Sequence, residues 1–173
     1  MADTPTAPAS PDHDPRDFRN ALGLFATGVT IVTTKTSAGE PIGLTANSFS
    51  SVSLSPPLVL WSLSLRSPNL PNFLQATHFA VNVLAHDQIP LSQRFAKPVP
   101  RKFDGIAHSL GVHGMPLLDG TAAQFECRTE ARHYSGDHVI FIGHVLHYSY
   151  ADRAPLGYFR GAYAAIQAVS QNS

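Results

Sequence analysis

Two kinds of spacing between apolar residues divide the chain into one helical segment and several extended ones. From Asp17 to Phe25, apolar side chains recur at steps of three and four residues, which predicts an amphipathic helix. Gly28 stands where a glycine would end this helix. We expect the apolar face of the helix to pack across the β structure that follows it.

Extended segments account for most of the remaining pattern. Runs rich in β-branched, aromatic or other apolar residues cover 29–34, 57–65, 79–84 and 139–148, and each run is typical of a strand. Residues 87–95 favour a short helix. Several strands, few helices and proline-rich links favour a β-barrel, because the chain has neither an internal repeat nor a regular alternation of helices and strands.

One predicted strand, at residues 124–131, alternates apolar and polar residues, so we expect it to have one buried side and one wet side. The side expected to be buried carries Phe125, Cys127, Thr129 and Ala131, and the wet side carries Gln124, Glu126, Arg128 and Glu130. Trp61, the single tryptophan, and Cys127, the single cysteine, are both predicted to be core residues.

The longest irregular segment covers residues 97–118. It contains three prolines and three glycines and shows no sustained period of apolar residues. A connection of this length inside a compact domain is usually functional, so we expect it to cover a ligand or a partner subunit.

Composition limits the classes of protein to which the chain can belong. With 173 residues, of which 43% are hydrophobic, the chain is long enough for one sizeable core. Twelve basic and twelve acidic residues give a net charge near zero, so no overall field favours nucleic acid or an anionic membrane. One cysteine cannot form an internal disulfide, and no apolar stretch approaches the roughly 20 residues that a membrane-spanning helix needs. These features favour a cytoplasmic protein.

The expected domain boundaries follow the start and the end of the periodic pattern. Residues 1–15 are rich in Pro, Ala, Thr and Asp and have no periodicity, so they predict a disordered N-terminal tail. A single domain is expected over residues 16–168, followed by a short C-terminal tail at residues 169–173.

The strongest candidate for a ligand site is the segment GLTANSF, from Gly43 to Phe49, with SSVS directly after it. It crowds small hydroxyl and amide groups between two apolar strands. Small side chains let backbone N–H groups approach a phosphate or a flat heteroaromatic ring, and Thr, Asn and Ser add short hydrogen bonds. The same composition also suits a turn-rich connection that binds nothing.

Motifs for several common chemistries are missing from the sequence. There is no G-x-G-x-x-G after a strand and no P-loop, so a Rossmann or P-loop nucleotide site is not expected. The chain also lacks G-x-S-x-G, H-E-x-x-H and C-x-x-C. His144 and His147 should point to opposite faces of a strand, and His138 and His144 share a face but lie too far apart to chelate one ion. No metal site is therefore predicted.

In order and spacing, the motifs of this chain resemble those of the short-chain flavin reductase family. The resemblance runs from Phe18 to Ile166 and rests on ATGVTIVTT from Ala26, GLTANSFSSVSLSPPLVL from Gly43, FAVNVL from Phe79, QRFA from Gln93, GDHVIFIGHV from Gly136 and PLGYFRGAY from Pro155. Their joint occurrence over nearly the whole chain makes the resemblance specific.

The resemblance implies a mainly β fold, an FMN-binding split β-barrel of Greek-key topology with a few flanking helices, assembled as a homodimer. It also implies an NAD(P)H-dependent flavin reductase, which transfers a hydride from NADH to FMN or FAD and supplies reduced flavin to a partner monooxygenase. FMN is favoured over FAD. NADH is favoured over NADPH, because no cluster of arginines near Gly136 would bind the extra phosphate.

Two other functions are compatible with the same fold. The first is a flavin carrier or sensor without reductase turnover. The second is an oxidase like those acting on pyridoxamine phosphate, which fits less well because its phosphate-binding basic residues are not at the expected positions.

The resemblance further assigns cofactor contacts to individual residues. It places Thr45, Ala46, Asn47 and Ser48 along the flavin, Ser51 and Ser53 near its ribityl chain or phosphate, Ser62 beneath the ring, and Ser67 at the phosphate end. Phe95, Ala96, Arg101, Lys102 and Phe103 match a segment that closes over the flavin, and Tyr158, Arg160, Gly161 and Tyr163 match the closing motif of the family. Arg66 is either a further phosphate contact or a solvent-exposed arginine.

The resemblance assigns nicotinamide binding to the triplet Gly136, Asp137 and His138. A histidine there can hydrogen-bond the carboxamide or the pyrophosphate of the nucleotide and can pass a proton to reduced flavin, so His138 is the candidate catalytic residue. The alternative is a histidine that caps a turn. Asp137 is then either a turn residue or a group that orients His138, and His144 is expected to face solvent or a neighbouring subunit without a catalytic role.

Overall fold

The structure, a computed structural model, describes residues 14–169. Most of the two predicted tails lies outside these residues. The helices are α1 Pro15–Leu22, α2 Leu70–Gln75 and α3 Ile89–Ala96. The strands are β1 Thr27–Gly28, β2 Thr30–Lys35, β3 Pro41–Ala46, β4 Ser50–Leu54, β5 Pro57–Ser64, β6 His78–Val83, β7 His108–Leu110, β8 Pro116–Leu118, β9 Ala123–Ser135, β10 His138–Tyr150, β11 Leu156–Phe159 and β12 Ala162–Ala165. None of these helices has the length and apolar character needed to cross a bilayer.

Seven strands form one antiparallel sheet in the order β3-β2-β6-β9-β10-β5-β4. Apolar side chains from β3 and β5, which stand near opposite ends of this order, meet in one core cluster. The sheet therefore curls around that core into a barrel, which stays split because β3 does not pair with β4 or β5. The predicted split β-barrel is confirmed, and the five predicted strands match β2, β5, β6, β9 and β10.

Aromatic rings fill the centre of the barrel. The Trp61 ring is fully buried, and its centroid lies 4.8 Å from that of Phe141 and 4.9 Å from that of Phe73 in α2. Cys127 is also buried, and burial together with the nearby Glu126 carboxylate raises the pKa of its thiol to about 12. Trp61 and Cys127 are therefore core residues, as predicted, and the thiol stays protonated.

A second apolar layer covers the outer face of β2 and β6. It contains Ile31 and Leu84 from this face, Phe95 from α3 and Phe103 from the loop after α3. The rings of Phe95 and Phe103 meet edge to face with centroids 5.0 Å apart. The segment at residues 97–118, predicted to be irregular, contains the short hairpin β7–β8, and it packs on the barrel as a cover.

The predicted wet side of β9 is wrong at Glu126, which is only 2% exposed. The turn between β7 and β8 lies over its carboxylate: a side chain added at Gly111 would meet Glu126 Oε2, and the His113 N–H donates to that oxygen at 3.4 Å. Strand alternation predicts which side a residue faces, but a distant loop covers this side of β9.

Helix α1 is shorter and more exposed than its pattern predicts. Asp14 caps its start by accepting a hydrogen bond from Arg16 N–H at 2.9 Å, and Gly23 follows its last residue, whereas Gly28 lies in β1. No residue of α1 is buried. The expectation that α1 packs across the sheet is therefore wrong for the single chain, in which the helix contacts the β11–β12 turn through the hydrogen bond from Arg160 N–H to Gly23 O.

Candidate functional site

A cavity of about 350 Å³ opens where the barrel is split. Its walls come from the end of β3, the end of β5 with the turn after it, and the end of α3 with the loop beyond. The lining residues are 44–48, 62–64, 67–69, 95–98, Lys102 and His138. This space is termed the split cavity below.

The Ser48 side chain holds the two sides of the split together. The pairing of β4 with β5 ends where Ser50 lies opposite Leu60, so Ser62 lies beyond that ladder. Ser48 Oγ accepts a hydrogen bond from Ser62 N–H at 2.9 Å and donates one to Ser62 O at 3.2 Å. One hydroxyl thus takes the place of a paired strand and fixes the backbone beside the cavity.

The edge of β5 beyond Ser62 is open towards the split cavity. Backbone groups of alternate residues point to the same side of an antiparallel strand, so Ser64 N–H points the same way as Ser62 N–H. Ser64 lines the cavity, and its carbonyl oxygen accepts a hydrogen bond from Ser67 N–H at 3.0 Å. The Ser64 N–H has no partner strand on this side and needs a hydrogen-bond acceptor. It is therefore positioned to donate to a ligand in the cavity.

Thr45 connects the split cavity to the outer layer. Its hydroxyl donates to Ser92 O in α3 at 2.7 Å, and Tyr163 OH of β12 hydrogen-bonds the fully buried Ser92 Oγ at 2.9 Å. These bonds hold β3 against α3 at the point where β3 enters the cavity wall.

A smaller cavity of about 250 Å³ adjoins the split cavity. The two share Thr45, Ala46, Asn47 and Ala96. The aromatic wall of the smaller cavity is formed by Tyr158 and Tyr163, whose rings meet edge to face with centroids 5.6 Å apart.

Lys102 joins the end of α3 to β3. Its Nζ donates to Phe95 O in the last turn of α3 at 2.8 Å and to Gly43 O at 3.4 Å. A cation at this end of a helix satisfies carbonyl groups that have no partner within the helix. Burial lowers the pKa of the Lys102 ammonium, because desolvation disfavours the charged form.

His138 stands at the rim of the split cavity, at the start of β10. Its Nδ1 lies 2.6 Å from Asp137 Oδ1, and the side chains are 46% and 84% exposed. The hydrogen bond from His138 lowers the pKa of the Asp137 carboxyl most, and the electrostatic interaction with the same imidazole lowers it further. Asp137 therefore remains an acceptor and holds Nδ1–H, which leaves Nε2 of the imidazole available to a ligand.

The split cavity suits a flat heteroaromatic ligand that carries phosphate. Its volume lies within the range of small-molecule sites, roughly 300–1,000 Å³. Its described lining offers short hydroxyl and amide groups and two lysines but no carboxylate. In residues 14–169, no three His, Cys, Asp or Glu side chains come together as metal ligands. A flavin mononucleotide fits this donor set.

Comparison with known proteins agrees with this geometry. The flavin reductase like domain matches residues 22–167 of the chain. The chain belongs to the flavin reductase family.

Relatives of the chain include an FMN reductase and the reductase component of a monooxygenase. The chain is 51% identical to the FMN reductase (NADH) SmoA of Agrobacterium fabrum, over 86% of this chain and 84% of SmoA. It is 47% identical to the reductase component of the flavin-dependent trigonelline monooxygenase of Acinetobacter baylyi, over 86% of this chain but 48% of that component. The chain thus spans about half the length of the second relative.

A solved flavin reductase has the same fold. The NADH:FAD oxidoreductase SgcE6 of Streptomyces globisporus, in complex with NAD and FAD fragments, superposes with a TM-score of 0.82 at 36% identity. The match covers 92% of this chain and 97% of SgcE6.

The structure brings ten of the residues assigned by the flavin reductase resemblance to the split cavity. They are Thr45, Ala46, Asn47, Ser48, Ser62, Ser67, Phe95, Ala96, Lys102 and His138. Tyr158 lies in the adjoining smaller cavity. These residues come from distant parts of the chain and meet because the barrel is split between β3 and β5.

Other assigned residues lie outside the lining of the split cavity. Ser51 and Ser53 are on the edge strand β4, and Gly136, with φ 56°, and Asp137 form the turn before β10. Phe103 is buried beneath α3.

The two assigned arginines also have other surroundings. Arg101 Nε pairs with Asp104 Oδ2 at 2.8 Å, and its backbone is left-handed with φ 52°. Arg160 occupies a left-handed turn position with φ 50°, and its guanidinium lies over the Phe159 ring, 5.4 Å from the centroid. Both arginines therefore have protein contacts away from the cavity.

Three polar residues that line the split cavity were not assigned from the sequence, namely Ser64, Asn69 and Lys97. Ser64 and Asn69 flank the assigned Ser67, so their position in the same turn was a usable signal. Lys97 directly follows the QRFA motif, and its charge beside that motif was the available signal.

We expect Ser48→Ala to lower the free energy of unfolding by about 1 kcal/mol, because the Ser62 N–H loses its partner. The same change should weaken FMN binding, since the backbone at residues 47–48 is no longer held against β5. Urea denaturation and FMN fluorescence titration measure the two effects. Ser50→Ala is the matched control, because the exposed Ser50 hydroxyl bonds only to neighbouring Ser51 O among the described residues. Equal effects of the two changes would contradict the role assigned to Ser48.

Proposed function

We propose that the chain is an NADH:flavin oxidoreductase that reduces FMN or FAD bound in the split cavity. The observation that carries this proposal is the cavity itself, in which backbone edges, short hydroxyl and amide groups and lysines meet at the opening of the barrel. Membership of the flavin reductase family supports the same activity.

A bound flavin supplies the hydride chemistry, since its ring accepts a hydride from a reduced nicotinamide. The protein's part is to bind and orient the two nucleotides. The backbone at residues 45–48 and the Ser64 N–H provide hydrogen bonds along one side of the cavity, and the end of α3 bounds the other. These groups are held in advance by the Ser48–Ser62 and Thr45–Ser92 hydrogen bonds, so little reorganisation is needed when ligands bind.

His138 is proposed to contact the nicotinamide nucleotide. Because Asp137 holds Nδ1–H, Nε2 accepts a hydrogen bond from a carboxamide when the imidazole is neutral and donates one to a phosphate when it is protonated. Whether the imidazole is neutral or protonated, the exposed ring at the cavity rim would orient the nicotinamide nucleotide at the cavity opening. Gly136 and Asp137 serve this role by shaping the turn.

We favour NADH as the donor and FMN as the flavin, with FAD as the alternative. SmoA is named an FMN reductase (NADH), and SgcE6 is named an NADH:FAD oxidoreductase. Both names specify NADH, which supports the preference based on the absence of an arginine cluster in the sequence near Gly136.

The reduced flavin is proposed to serve a partner monooxygenase. The Acinetobacter baylyi relative is the reductase component of a flavin-dependent monooxygenase, and this chain spans 48% of it. The opening of the cavity at the barrel split gives reduced flavin a route to such a partner. The supply of NADH to the enzyme supports a cytoplasmic location.

A homodimer is also proposed, and the exposed apolar residues near α1 support it. Leu22, Leu24 and Phe25 are 59%, 54% and 78% exposed. Three large apolar side chains exposed within four consecutive residues fit a protein interface. A second copy of the chain would provide the cover that α1 lacks within a single chain.

Purified protein should oxidise NADH at a rate that rises with added FMN, followed at the nicotinamide absorbance band. His138→Gln should raise the KM for NADH about fivefold, because Asp137 does not hold a glutamine amide as it holds the imidazole and the oriented hydrogen bond to the nucleotide is lost. His144→Gln is the control and should leave the KM unchanged, since His144 lies on β10 away from the cavity lining.

Flavin binding without NADH or NADPH oxidation by the unaltered protein would favour the carrier or sensor function. Absence of flavin binding would overturn both functions.

Sedimentation should give the mass of a dimer for the unaltered chain. Phe25→Asp should shift the population towards monomer, because a charge cannot be buried cheaply in an apolar interface. Val99→Asp places the same charge at an exposed apolar residue in the loop after α3 and should leave the dimer intact. A monomeric unaltered chain would contradict the proposed homodimer.

A further inference from the structure

Four basic residues surround the end of α3, and protein groups engage three of them. Arg94 Nη2 donates to Asp104 O at 2.7 Å, and Arg101 Nε pairs with the Asp104 carboxylate at 2.8 Å. Lys102 Nζ donates to Phe95 O at 2.8 Å and to a second carbonyl oxygen. Each of these three cations contributes to the conformation of the loop after α3.

Lys97 is the fourth cation, and its surroundings differ. It lines the split cavity and is exposed, and its ammonium has no hydrogen bond or ion pair with any residue from 14 to 169. No carboxylate among the described lining residues competes for it. The positive charge of Lys97 is therefore available to an anion in the cavity.

The backbone orients Lys97 before any ligand binds. Its φ of −88° and ψ of 148° are extended, as the residue before a proline requires, and Pro98 follows it in the cavity wall. Lys102 stabilises the same loop because its Nζ donates to Phe95 O in the last turn of α3. Pro98 restricts the backbone of Lys97 to this extended region, which reduces the entropy lost on binding.

We propose that Lys97 binds the phosphate of the flavin, and that Lys102 positions the loop that carries Lys97. This inference rests on the proposed reductase function. The phosphate of FMN carries close to two negative charges near neutral pH, and a charge-assisted hydrogen bond to it is stronger than one between neutral groups. The roles of the two lysines thereby differ although both line one cavity.

Another explanation for Lys97 is that a cation after the last turn of α3 interacts favourably with the helix dipole. That role would contribute to stability and would not depend on whether the ligand carries phosphate. Comparing FMN with riboflavin, which has the same ring and ribityl chain without phosphate, separates the two explanations.

The test measures the dissociation constants of FMN and riboflavin by flavin fluorescence, for the full chain and its variants. Lys97→Gln should weaken FMN binding about fivefold and leave riboflavin binding unchanged, as expected for one partly exposed ion pair. It should also reduce the dependence of FMN binding on salt concentration. Lys97→Arg should restore FMN binding. Lys102→Gln should weaken both ligands, because it loosens the loop.

Lys35→Gln is the charge-matched control, since Lys35 lies at the end of β2 outside the split cavity, and it should change neither constant. If Lys97→Gln affects both ligands equally or neither, or if the unaltered chain binds FMN no more tightly than riboflavin, the role of Lys97 is overturned while the reductase function stands. If the unaltered chain binds neither flavin, the proposed function fails as well.

Discussion

The incomplete closure of the barrel is the constraint on which the rest of the structure depends. The core around Trp61 requires the sheet to curl, yet β4 stops pairing with β5 at Ser50, and β3 pairs only with β2. The resulting gap leaves backbone groups without strand partners, which a buried segment cannot tolerate. The Ser48 hydroxyl hydrogen-bonds the backbone of Ser62, and the rest of the β5 edge faces the split cavity. The fold thus leaves backbone groups at the edge of the split cavity available to a ligand.

Some charged groups around this gap bind to other protein groups and stabilise its walls, whereas others remain available to a ligand. Lys102 satisfies carbonyl groups at the end of α3, and Arg101 pairs with Asp104. Asp137 holds one nitrogen of His138. Lys97 and the His138 ring instead line the split cavity. The cavity therefore has local positive charge from its two lysines although the chain as a whole has a net charge near zero.

Local patterns in the sequence predicted the barrel strands and the segment at residues 45–48, because β-branched runs and a cluster of small polar residues are local signals. Ser64 was not predicted from the sequence, because its backbone N–H is free only where the pairing of β4 with β5 has ended. The family resemblance grouped Arg101 and Phe103 with Lys102, whereas Arg101 pairs with Asp104 and the buried Phe103 ring packs against Phe95. Glu126 looked solvent-facing, and a distant turn covers it. The error at Glu126 arises because a tertiary contact overrides the local alternation of the strand.

The most direct test of the central claim is an NMR titration of the amide resonances with FMN. Flavin bound in the split cavity should cause large shifts for Ser64 and Asn47 and small shifts for Ser51 and Ser53 on the edge strand β4. Shifts concentrated on β4, with Ser64 and Asn47 unaffected, would show that flavin binds elsewhere and would contradict the account.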